Sequence, residues 1–496
     1  MVSIDELATF CKRKGFVFPS SEIYGGMSGV FDLGHLGVEF RNKIRAHWWS
    51  TFVKQRDDMY GIEGSVLSHP NIWKASGHVD NFGDLLIQDT VTKENFRADH
   101  LVEDVLKIPT DGLDAKQLQE LIEKHDVKSP KGNPLSEIKV FSPMFETFVG
   151  PFHSEESKSY LRPETAQIIF AQFKNMVETN RVKLPFGIAQ IGKSFRNEIS
   201  PRNFIFRMRE FEQAEIEYFI DPAKYNSCPY IAEVLDNTVV LNTQDCQAND
   251  TDPITLTIKE ALDKKVIRNE WHAYFMGLAQ GWFVSLGVSP ENLRFRQHRV
   301  DELSHYSSDT WDLEYKFEFG FKELWGIADR STYDLDQHIK HSGQKLSVFD
   351  EESKSHIIPR VLEPSLGFDR TFLVLISEAL RFDEERKNNV LALHPKIAPV
   401  TVGIFPLVKK DGLAELAYDI YKNIRKQFDA VYDVSGSVGK RYARMDEIGT
   451  PFCVTVDFET KEDQCVTIRY RDSMKQERVA IADLQNHIMQ KLNEGA

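Results

Sequence analysis

The most informative stretch of the sequence is Phe195-Arg196-Asn197-Glu198, followed by a polar turn and then Phe206-Arg207-Met208-Arg209-Glu210-Phe211-Glu212-Gln213-Ala214-Glu215. Residues 184–220 alternate like two antiparallel strands around the turn Ser200-Pro201-Arg202-Asn203. Strand side chains point alternately to opposite faces. We therefore expect one face to carry Arg207, Arg209, Phe211, Gln213 and Glu215, and the partner strand to present Arg196 and Glu198 together.

Guanidinium groups, an aromatic ring and carboxylates on one sheet face would make a poor core. They suit a nucleoside triphosphate and a cationic ligand, because arginine pairs bidentately with phosphate oxygens and phenylalanine offers a stacking plane. A solvated sheet face with surface ion pairs would give the same alternation. This stretch alone does not decide between the two interpretations.

Two more patterns flank this hairpin in a fixed order. Apolar residues recur every four positions from Gly34 to Arg56, which predicts a long amphipathic helix leading to a strand that ends at Pro70. Gly367-Phe368-Asp369-Arg370 lies at the start of a second helix, predicted over 366–381. The three patterns, in this order, resemble the three signature motifs of class II aminoacyl-tRNA synthetases.

That resemblance implies an α+β catalytic domain, built on an antiparallel sheet flanked by helices, and an α/β anticodon-binding domain at the C-terminus. In the class, the first motif builds the interface of a homodimer. Within the class, the sequence resembles the single-chain glycyl-tRNA synthetases over nearly its whole length. The strings that carry this likeness include Gly15–Gly26, Leu161–Gln167, Arg196–Arg202, Leu293–His298, Gly326–Arg330, Glu363–Gly367 and Asp446–Pro451.

The resemblance implies a role for each matching residue. Arg196 would contact the α-phosphate of ATP, Glu198 the adenine amino group and Phe211 the adenine ring. Arg207 and Arg370 would hold the γ-phosphate, so the catalytic residues would be Arg196, Arg207 and Arg370. The implied ATP site consists of Arg196, Asn197, Glu198, Phe206, Arg207, Phe211, Glu323, Leu324, Gly367 and Arg370.

The implied glycine site consists of Arg97, Glu164, Phe211, Glu215, Glu363 and Ser365. ATP would enter as a substrate with Mg²⁺ near Glu323, and no metal site made by protein groups alone is expected. Many relatives carry cysteine pairs before the Arg-Ala-Asp string, but residues 85–96 contain no cysteine. We therefore expect no zinc. The implied partners are tRNA(Gly), glycine and ATP.

These residue types fit phosphoryl chemistry. The glycine carboxylate would attack the α-phosphorus of ATP, pyrophosphate would leave, and a terminal ribose hydroxyl of tRNA would then take the glycyl group. Such chemistry needs positioning and charge neutralisation, and no protein nucleophile. A pocket closed at the α-carbon would exclude larger amino acids by steric overlap.

The chain of 496 residues is long enough for two or more domains. We predict a catalytic domain over residues 1–390, with insertions at about 85–160 and 225–305, and the anticodon-binding domain over 395–496. Residues 227–290 are predicted to be mainly helical. Strands are predicted at 400–405, 453–458 and 465–470 and helices at 412–428 and 478–492.

Charge permits RNA binding without predicting it. The net charge is −14, but residues 390–496 hold 15 basic and 15 acidic residues, so the C-terminal part is neutral. Its densest basic cluster, with an aromatic residue inside, is Lys440-Arg441-Tyr442-Ala443-Arg444, which we predict contacts the anticodon. The same cluster could instead serve as a solvated surface.

Five scattered cysteines favour a reducing, cytoplasmic location. The uncharged stretch 271–290 contains His272 and three glycines, so we predict a buried helix and no membrane span. Residues 436–441 resemble a phosphate loop but lack its first glycine and its Ser or Thr. His298, His305, Cys228 and Cys246 lack metal-ligand spacing and are predicted to be packing residues.

Two other functions compete. A threonyl, prolyl or histidyl synthetase would share the C-terminal domain. Glu363-Pro364-Ser365 and the carboxylates of the implied glycine site argue against these enzymes. A synthetase-like nucleic-acid-binding subunit without catalysis, as in the accessory subunit of the mitochondrial DNA polymerase, would have lost the phosphate-gripping arginines. Arg196, Arg207 and Arg370 are all present.

Overall fold

The computed structural model describes residues 2–81, 83–108, 110 and 113–494. Its strands before the C-terminal part are β1 Val17–Pro19, β2 Phe31–Leu33, β3 Met59–Gly61, β4 Leu67–Ser68, β5 Asp84–Gln88, β6 Asn95–Arg97, β7 Lys139–Phe141, β8 Glu146–Phe148, β9 Lys158–Leu161, β10 Phe186–Phe195, β11 Glu210–Ile220, β12 Thr238–Asn242, β13 Ile254–Thr257, β14 Leu293–Gln297, β15 Asp309–Phe317, β16 Gly320–Ser331, β17 Val348–Asp350, β18 Ser355–Ile357, β19 Arg360–Gly367, β20 Leu380–Asp383 and β21 Asn388–Leu391. The C-terminal strands are β22 Val402–Pro406, β23 Ala430–Tyr432, β24 Phe452–Val456, β25 Cys465–Tyr470 and β26 Gln476–Ala480.

Helices pack around these strands along the described chain. They are α1 Ile4–Lys14, α2 His35–Trp49, α3 Pro70–Ala75, α4 His78–Asn81, α5 Ala98–Leu106, α6 Ala115–Lys124, α7 Ala166–Asn180, α8 Gln244–Asn249, α9 Ile258–Asp263, α10 Glu270–Ser285, α11 Tyr333–Ser342, α12 Phe368–Ala379, α13 Leu413–Ile424, α14 Val438–Ile448, α15 Thr460–Asp463 and α16 Leu484–Glu494.

A nine-stranded sheet forms the centre of the N-terminal part. Its strand order is β13-β12-β14-β15-β16-β19-β11-β10-β3. Neighbouring strands are antiparallel except for the pairs β12–β14 and β10–β3, which are parallel. The fold is therefore the predicted α+β catalytic fold, and β10 and β11 form the predicted antiparallel hairpin.

Helix α2 shows how the sequence pattern becomes packing. Phe40, Ile44 and Trp48 are fully buried along one side, and the helix continues as a π-helical turn over Ser50–Lys54 that buries Phe52. The predicted apolar repeat of four therefore places one stripe of large side chains in the core. The predicted strand ending at Pro70 is wrong, because the chain forms only β3 and the two-residue β4 there, and Pro70 starts α3.

The two predicted insertions differ in structure. Between β4 and β9 the chain builds small sheets and a separate core around α5 and α6. Residues 227–290, predicted to be mainly helical, also contribute β12 and β13 to one end of the main sheet. Helix α10 within it is largely buried, as predicted for the uncharged stretch. None of the described helices is long and apolar enough to cross a membrane.

The C-terminal part contains a mixed five-stranded sheet of order β23-β22-β24-β25-β26. The pairs β22–β23 and β22–β24 are parallel, and α13 packs against β22 and β23. The predicted helix 478–492 is partly wrong, because β26 precedes α16. The sequence also did not predict α14, whose start is capped by Ser437.

The basic cluster 440–444 lies on α14, and most of it is engaged internally. Arg441 is buried and donates hydrogen bonds to the carbonyls of Pro406 and Gly436. Arg444 pairs with Asp433, while Lys440 is exposed. The cluster therefore stabilises the domain more than it offers charge to a partner, contrary to the sequence prediction.

A buried aspartate joins the two parts of the chain. Asp446 on α14 accepts hydrogen bonds from Arg469 on β25 at 2.8 and 2.9 Å and from Arg386, between β20 and β21, at 3.1 Å. All three side chains are largely buried. The carboxylate therefore compensates two guanidinium groups at the junction.

Asp446→Ala should destabilise the full chain by about 3–5 kcal/mol, because removing one partner leaves uncompensated buried charge. Chemical denaturation followed by circular dichroism measures this change. Asp419→Ala is the matched control, because Asp419 forms an exposed pair with Lys422 and such pairs contribute about 0–1 kcal/mol. Equal losses in the two variants would contradict the junction's importance.

Candidate active site

A cavity of about 240 Å³ opens over the middle of the nine-stranded sheet. Its floor is formed by β11, β16 and β19, and the segment between β10 and β11 closes one side. The predicted residues that line it are Glu164, Arg196, Glu198, Phe206, Arg207, Phe211, Glu215, Glu323, Glu363, Ser365, Gly367 and Arg370. Residues far apart in the sequence thus meet in one cavity.

One end of the cavity is cationic. Arg207 donates to Glu198 Oε2 from Nε at 2.7 Å, and its Nη2 lies 2.6 Å from the same oxygen. Arg370, in the first turn of α12, donates from Nη1 to Glu323 Oε2 at 3.0 Å. Arg196 donates from Nε to the carbonyl of Pro163 at 3.0 Å. Each guanidinium is held in place by a carboxylate or a carbonyl, an arrangement suited to phosphate oxygens.

Two aromatic rings lie beside these arginines. The Arg196 guanidinium carbon lies 5.4 Å from the centre of the Phe211 ring, and that of Arg370 lies 4.5 Å from the centre of the Phe206 ring. Flat aromatic and guanidinium faces at these distances can stack on a planar heterocycle. The cationic end therefore combines phosphate-binding and base-stacking groups.

The other end of the cavity is acidic. Glu215 Oε1 accepts from Ser365 Oγ at 2.7 Å, and its Oε2 accepts from the backbone amide of Thr165 at 2.9 Å. Glu164 lies 3.2 Å from His78 Nε2. Glu363 accepts from Arg330 Nη1 at 2.8 Å. Three buried carboxyl groups thus surround a space that would favour a small ammonium group.

The environment separates the protonation of these acids. Burial raises the pKa of Glu363 to about 8, and the charges of Glu215 and Glu164 add to this despite the ion pair with Arg330. Burial and the Glu164 charge also raise the pKa of Glu215. Burial would raise the pKa of Glu164 too, but His78, Arg330 and Arg196 hold it well below its ordinary value. The pocket therefore holds both ionised and protonated carboxyl groups at neutral pH.

Arg330 is the buried cation of this end, and the sequence analysis assigned it no role. It donates from Nε and Nη2 to Asp334 at 2.7 and 2.8 Å, as well as to Glu363. The guanidinium carbon lies 3.7 Å from the centre of the Tyr306 ring. The string Gly326–Arg330 contained a signal for this role. An arginine that follows apolar strand residues is expected to be buried, and a buried guanidinium must be paired with carboxylates.

His298 also lines the cavity, and the prediction that it is a packing residue is wrong. Its Nε2 lies 2.7 Å from Asp312 Oδ2. Burial and the charge of Glu323 raise the pKa of Asp312 to about 6. Asp312 and Glu323 converge above Gly326, where a β-carbon would lie 3.5 Å from Asp312 Oδ1 and 3.6 Å from Glu323 Oε1.

Three predicted site residues do not line the cavity. Arg97, on β6, pairs with Asp84 at 3.1 Å and Asp99 at 2.5 Å. Leu324 is buried in the core, and Asn197 donates its backbone amide to the carbonyl of Pro143. Arg209, predicted to share the face of Arg207, turns away and donates to the carbonyls of Ser28 and Glu198. It does so because β11 begins only at Glu210, so strand alternation does not extend to it.

Comparison with known proteins identifies two domains and full-length relatives. The class II core domain of tRNA synthetases (G, H, P, S and T) matches residues 147–378, and an anticodon binding domain matches residues 401–491. Glycine–tRNA ligases of Caldanaerobacter subterraneus subsp. tengcongensis and Clostridium beijerinckii are each 44% identical to the chain. The alignments cover 99% of this chain in both cases, and 99% and 98% of the relatives. The ligase of Lysinibacillus sphaericus is 43% identical, with 99% of both chains covered.

Proposed function

Because this chain belongs to the glycine–tRNA ligase family of class II aminoacyl-tRNA synthetases, we propose a role for each end of its cavity. The enzyme activates glycine with ATP to form glycyl-adenylate and then transfers the glycyl group to the 3′ end of tRNA(Gly). The observation that carries our proposal is the division of the cavity into a cationic, aromatic end and a buried acidic end. ATP would lie at the cationic end and glycine at the acidic end.

At the cationic end, Arg196, Arg207 and Arg370 would bind the phosphates of ATP. The guanidiniums that now rest on Glu198 and Glu323 would exchange these partners for phosphate oxygens. Once paired with the phosphates, fixed cations of this kind stabilise the charge that develops during transfer. Phe211 would stack on adenine.

Mg²⁺ is included in the proposal as the ion that accompanies ATP. Glu323 and Asp312 would hold it through carboxylate oxygens, which this cation prefers, and the ion would neutralise phosphate charge. Among the described residues no group of three or more His, Cys, Asp or Glu could hold a metal by itself. Oxygens of ATP and water would therefore have to complete the coordination. We propose no zinc site.

At the acidic end, Glu164, Glu215 and Glu363 would attract the ammonium group of glycine. Ser365 would fix the orientation of Glu215 through its hydrogen bond. Acids around the ammonium explain why the pocket contains several buried carboxyl groups, which are costly without a cation. A tight fit at the α-carbon would reject larger amino acids by overlap, and no editing domain would be needed.

The C-terminal part would read the anticodon, and its surface suggests where. Tyr418, Tyr421 and Tyr432 form a cluster with ring centres 5.3–5.9 Å apart, and Tyr418 is 45% exposed. Lys422 lies over Tyr418 and Arg425 over Tyr421. Unstacked RNA bases bind to aromatic faces and guanidiniums of this kind. The tyrosine cluster thus replaces residues 440–444 as our candidate.

We further propose a cytoplasmic homodimer. The family resemblance assigns the subunit interface to the motif that contains α2, and Val38 on this helix is 41% exposed. The reduced, scattered cysteines are consistent with the cytoplasm.

Arg370→Ala should reduce glycine-dependent ATP–pyrophosphate exchange by about 10²–10³-fold, because it removes a positioned hydrogen-bond donor to the phosphates. Arg381→Ala is a suitable control on the same part of the chain, since Arg381 on β20 does not line the cavity. Exchange within a few-fold of wild type in Arg370→Ala would defeat the assignment.

Ser365→Ala should raise the KM for glycine by about tenfold while leaving the KM for ATP near wild type. The variant removes the hydrogen bond that orients Glu215, and losing one partner of a buried hydrogen bond costs about 1–3 kcal/mol. Initial-rate exchange assays with each substrate varied measure the two constants. An unchanged glycine dependence would mean that glycine binds elsewhere.

Tyr418→Ala should lower kcat/KM for charging tRNA(Gly) by about 5–150-fold, because stacking on an aromatic residue contributes about 1–3 kcal/mol per base. Pyrophosphate exchange should not change. Phe382→Ala is the matched control, because Phe382 is also an exposed aromatic residue but lies on β20. If Tyr418→Ala charged wild-type and anticodon-mutated tRNA with the wild-type ratio, the anticodon would be read at another surface.

A further inference from the structure

Glu217 is a fully buried acid next to the acidic end of the cavity. It lies on β11 two residues after Glu215, so the two side chains share a face of the sheet. Neither oxygen of its carboxyl group has a hydrogen-bond partner among the described residues. Glu217 does not line the cavity, and nothing in the proposed reaction uses it.

The strand register sets Glu217 opposite Glu363. Glu215 pairs with Ser365 and Tyr218 with Leu362, so the same antiparallel register brings residue 217 across from residue 363. Directly opposite side chains on one face have β-carbons about 4.5–5.5 Å apart, which is within reach of two glutamates. Glu217 therefore lies beside Glu363, one cross-strand pair beyond Glu215 and Ser365.

The surroundings of Glu217 offer it no cation of its own. The charged groups that act on it are Glu363 on β19, Arg330 on β16, Glu215 on its own strand and Asp334 on α11. Arg330 donates hydrogen bonds to Asp334 and Glu363, and none of those described reaches Glu217. Burial, followed by the charge of Glu363, raises the pKa of Glu217 well above its ordinary value. A protonated carboxyl group has one O–H to donate.

Glu363 is held by Arg330 through Oε1 only in the described structure. A second donor would stabilise its ionised form, which is the form that attracts an ammonium group. We propose that Glu217 is a positioning residue for glycine recognition, and that its neutral carboxyl group donates its O–H to the Glu363 carboxylate when glycine binds. The inference rests on the proposed glycine site and adds a residue to it.

A positioning role and a purely structural role of Glu217 have different effects on stability. A buried polar group without a partner costs about 1–3 kcal/mol, and replacing it by an apolar group of similar shape is neutral or stabilising. Glu217 should therefore lower stability in the free enzyme and improve glycine binding. If Glu217 served only packing, its replacement would lower the stability of the protein.

The test compares Glu217→Met, which removes the donor, with Glu217→Gln, which keeps an N–H donor. Glu217→Met should raise the glycine KM by about tenfold or more, since hydrogen bonds to charged groups contribute about 1.5–3 kcal/mol. The KM for ATP should not change, and the thermal midpoint should be equal to or above that of wild type. Glu217→Gln should restore the glycine KM to within a few-fold of wild type.

The pH profile gives a second measurement. The pKa of Glu363 is about 8, so the ionised form is depleted as the pH falls below that value and the glycine KM should rise. Without a donor from residue 217, the ionised form of Glu363 is less stable and the pKa of Glu363 is higher. In Glu217→Met the rise in the glycine KM should therefore begin at a higher pH than in wild type. In Glu217→Gln the glycine KM should rise at the same pH as in wild type.

An unchanged glycine KM and pH profile in Glu217→Met would overturn the proposal. If that variant does not fold, infrared difference spectra of wild type and Glu217→Gln decide the question. Glycine should shift the carbonyl stretch of a protonated carboxyl group in wild type, and that band should be absent in Glu217→Gln. No such band in wild type would equally overturn it. Ser365→Ala distinguishes failure of the Glu217 proposal from failure of the proposed glycine site. If Ser365→Ala leaves the glycine KM unchanged, the glycine site itself is wrong.

Discussion

The carboxylate of Asp369 is the contact on which the arrangement of the cavity depends. It accepts the backbone amide of Glu212 on β11 at 2.7 Å and pairs with Arg41 on α2. Glu212, fully buried, in turn pairs with Arg45. One buried network thus ties α12, β11 and α2 together, and Arg370, the next residue after Asp369, gains its fixed position over the cavity. A buried carboxylate with two well-placed donors holds these elements because leaving either side unpaired would be costly.

Charge imbalance is the second constraint. Glu164, Glu215, Glu217, Glu363 and Asp334 lie in or behind the acidic end, while Arg330 is the buried arginine among them. Such a group cannot be fully ionised in a low-dielectric environment, so some of its carboxyl groups hold protons. In our proposal, the ammonium group of glycine supplies the missing charge. Buried carboxyl groups without enough cations lower the stability of the fold, and this cost is the reason to expect function at the acidic end.

The C-terminal part is joined to the catalytic part by more than the chain. Besides Asp446, Lys14 pairs with Glu447 at 2.5 Å and Lys43 pairs with Asp429 at 2.7 Å. Lys43 lies on α2, the helix that also carries Arg41 and Arg45. The C-terminal part and the wall of the cavity therefore both contact helix α2. Deletion of the C-terminal part would expose Arg386 and these lysines, so point variants are the cleaner experiments.

Local sequence determined the parts that depend on local periodicity and on motif residues. The hairpin β10–β11 and the buried stripe of α2 could be predicted, because alternation and helical repeat set side-chain direction within one element. The motif resemblance singled out Arg196, Arg207 and Arg370, which the structure brings to one cavity. The tertiary structure alone decided which elements meet. Strand pairing brought Arg330 and Glu217 to Glu363, and packing placed His298 in the cavity wall. Internal hydrogen bonds bury Arg441 and engage Arg444 with Asp433. The physical reason is that burial and ion pairing depend on contacts between residues that are distant in sequence, and no pattern within one segment contains them.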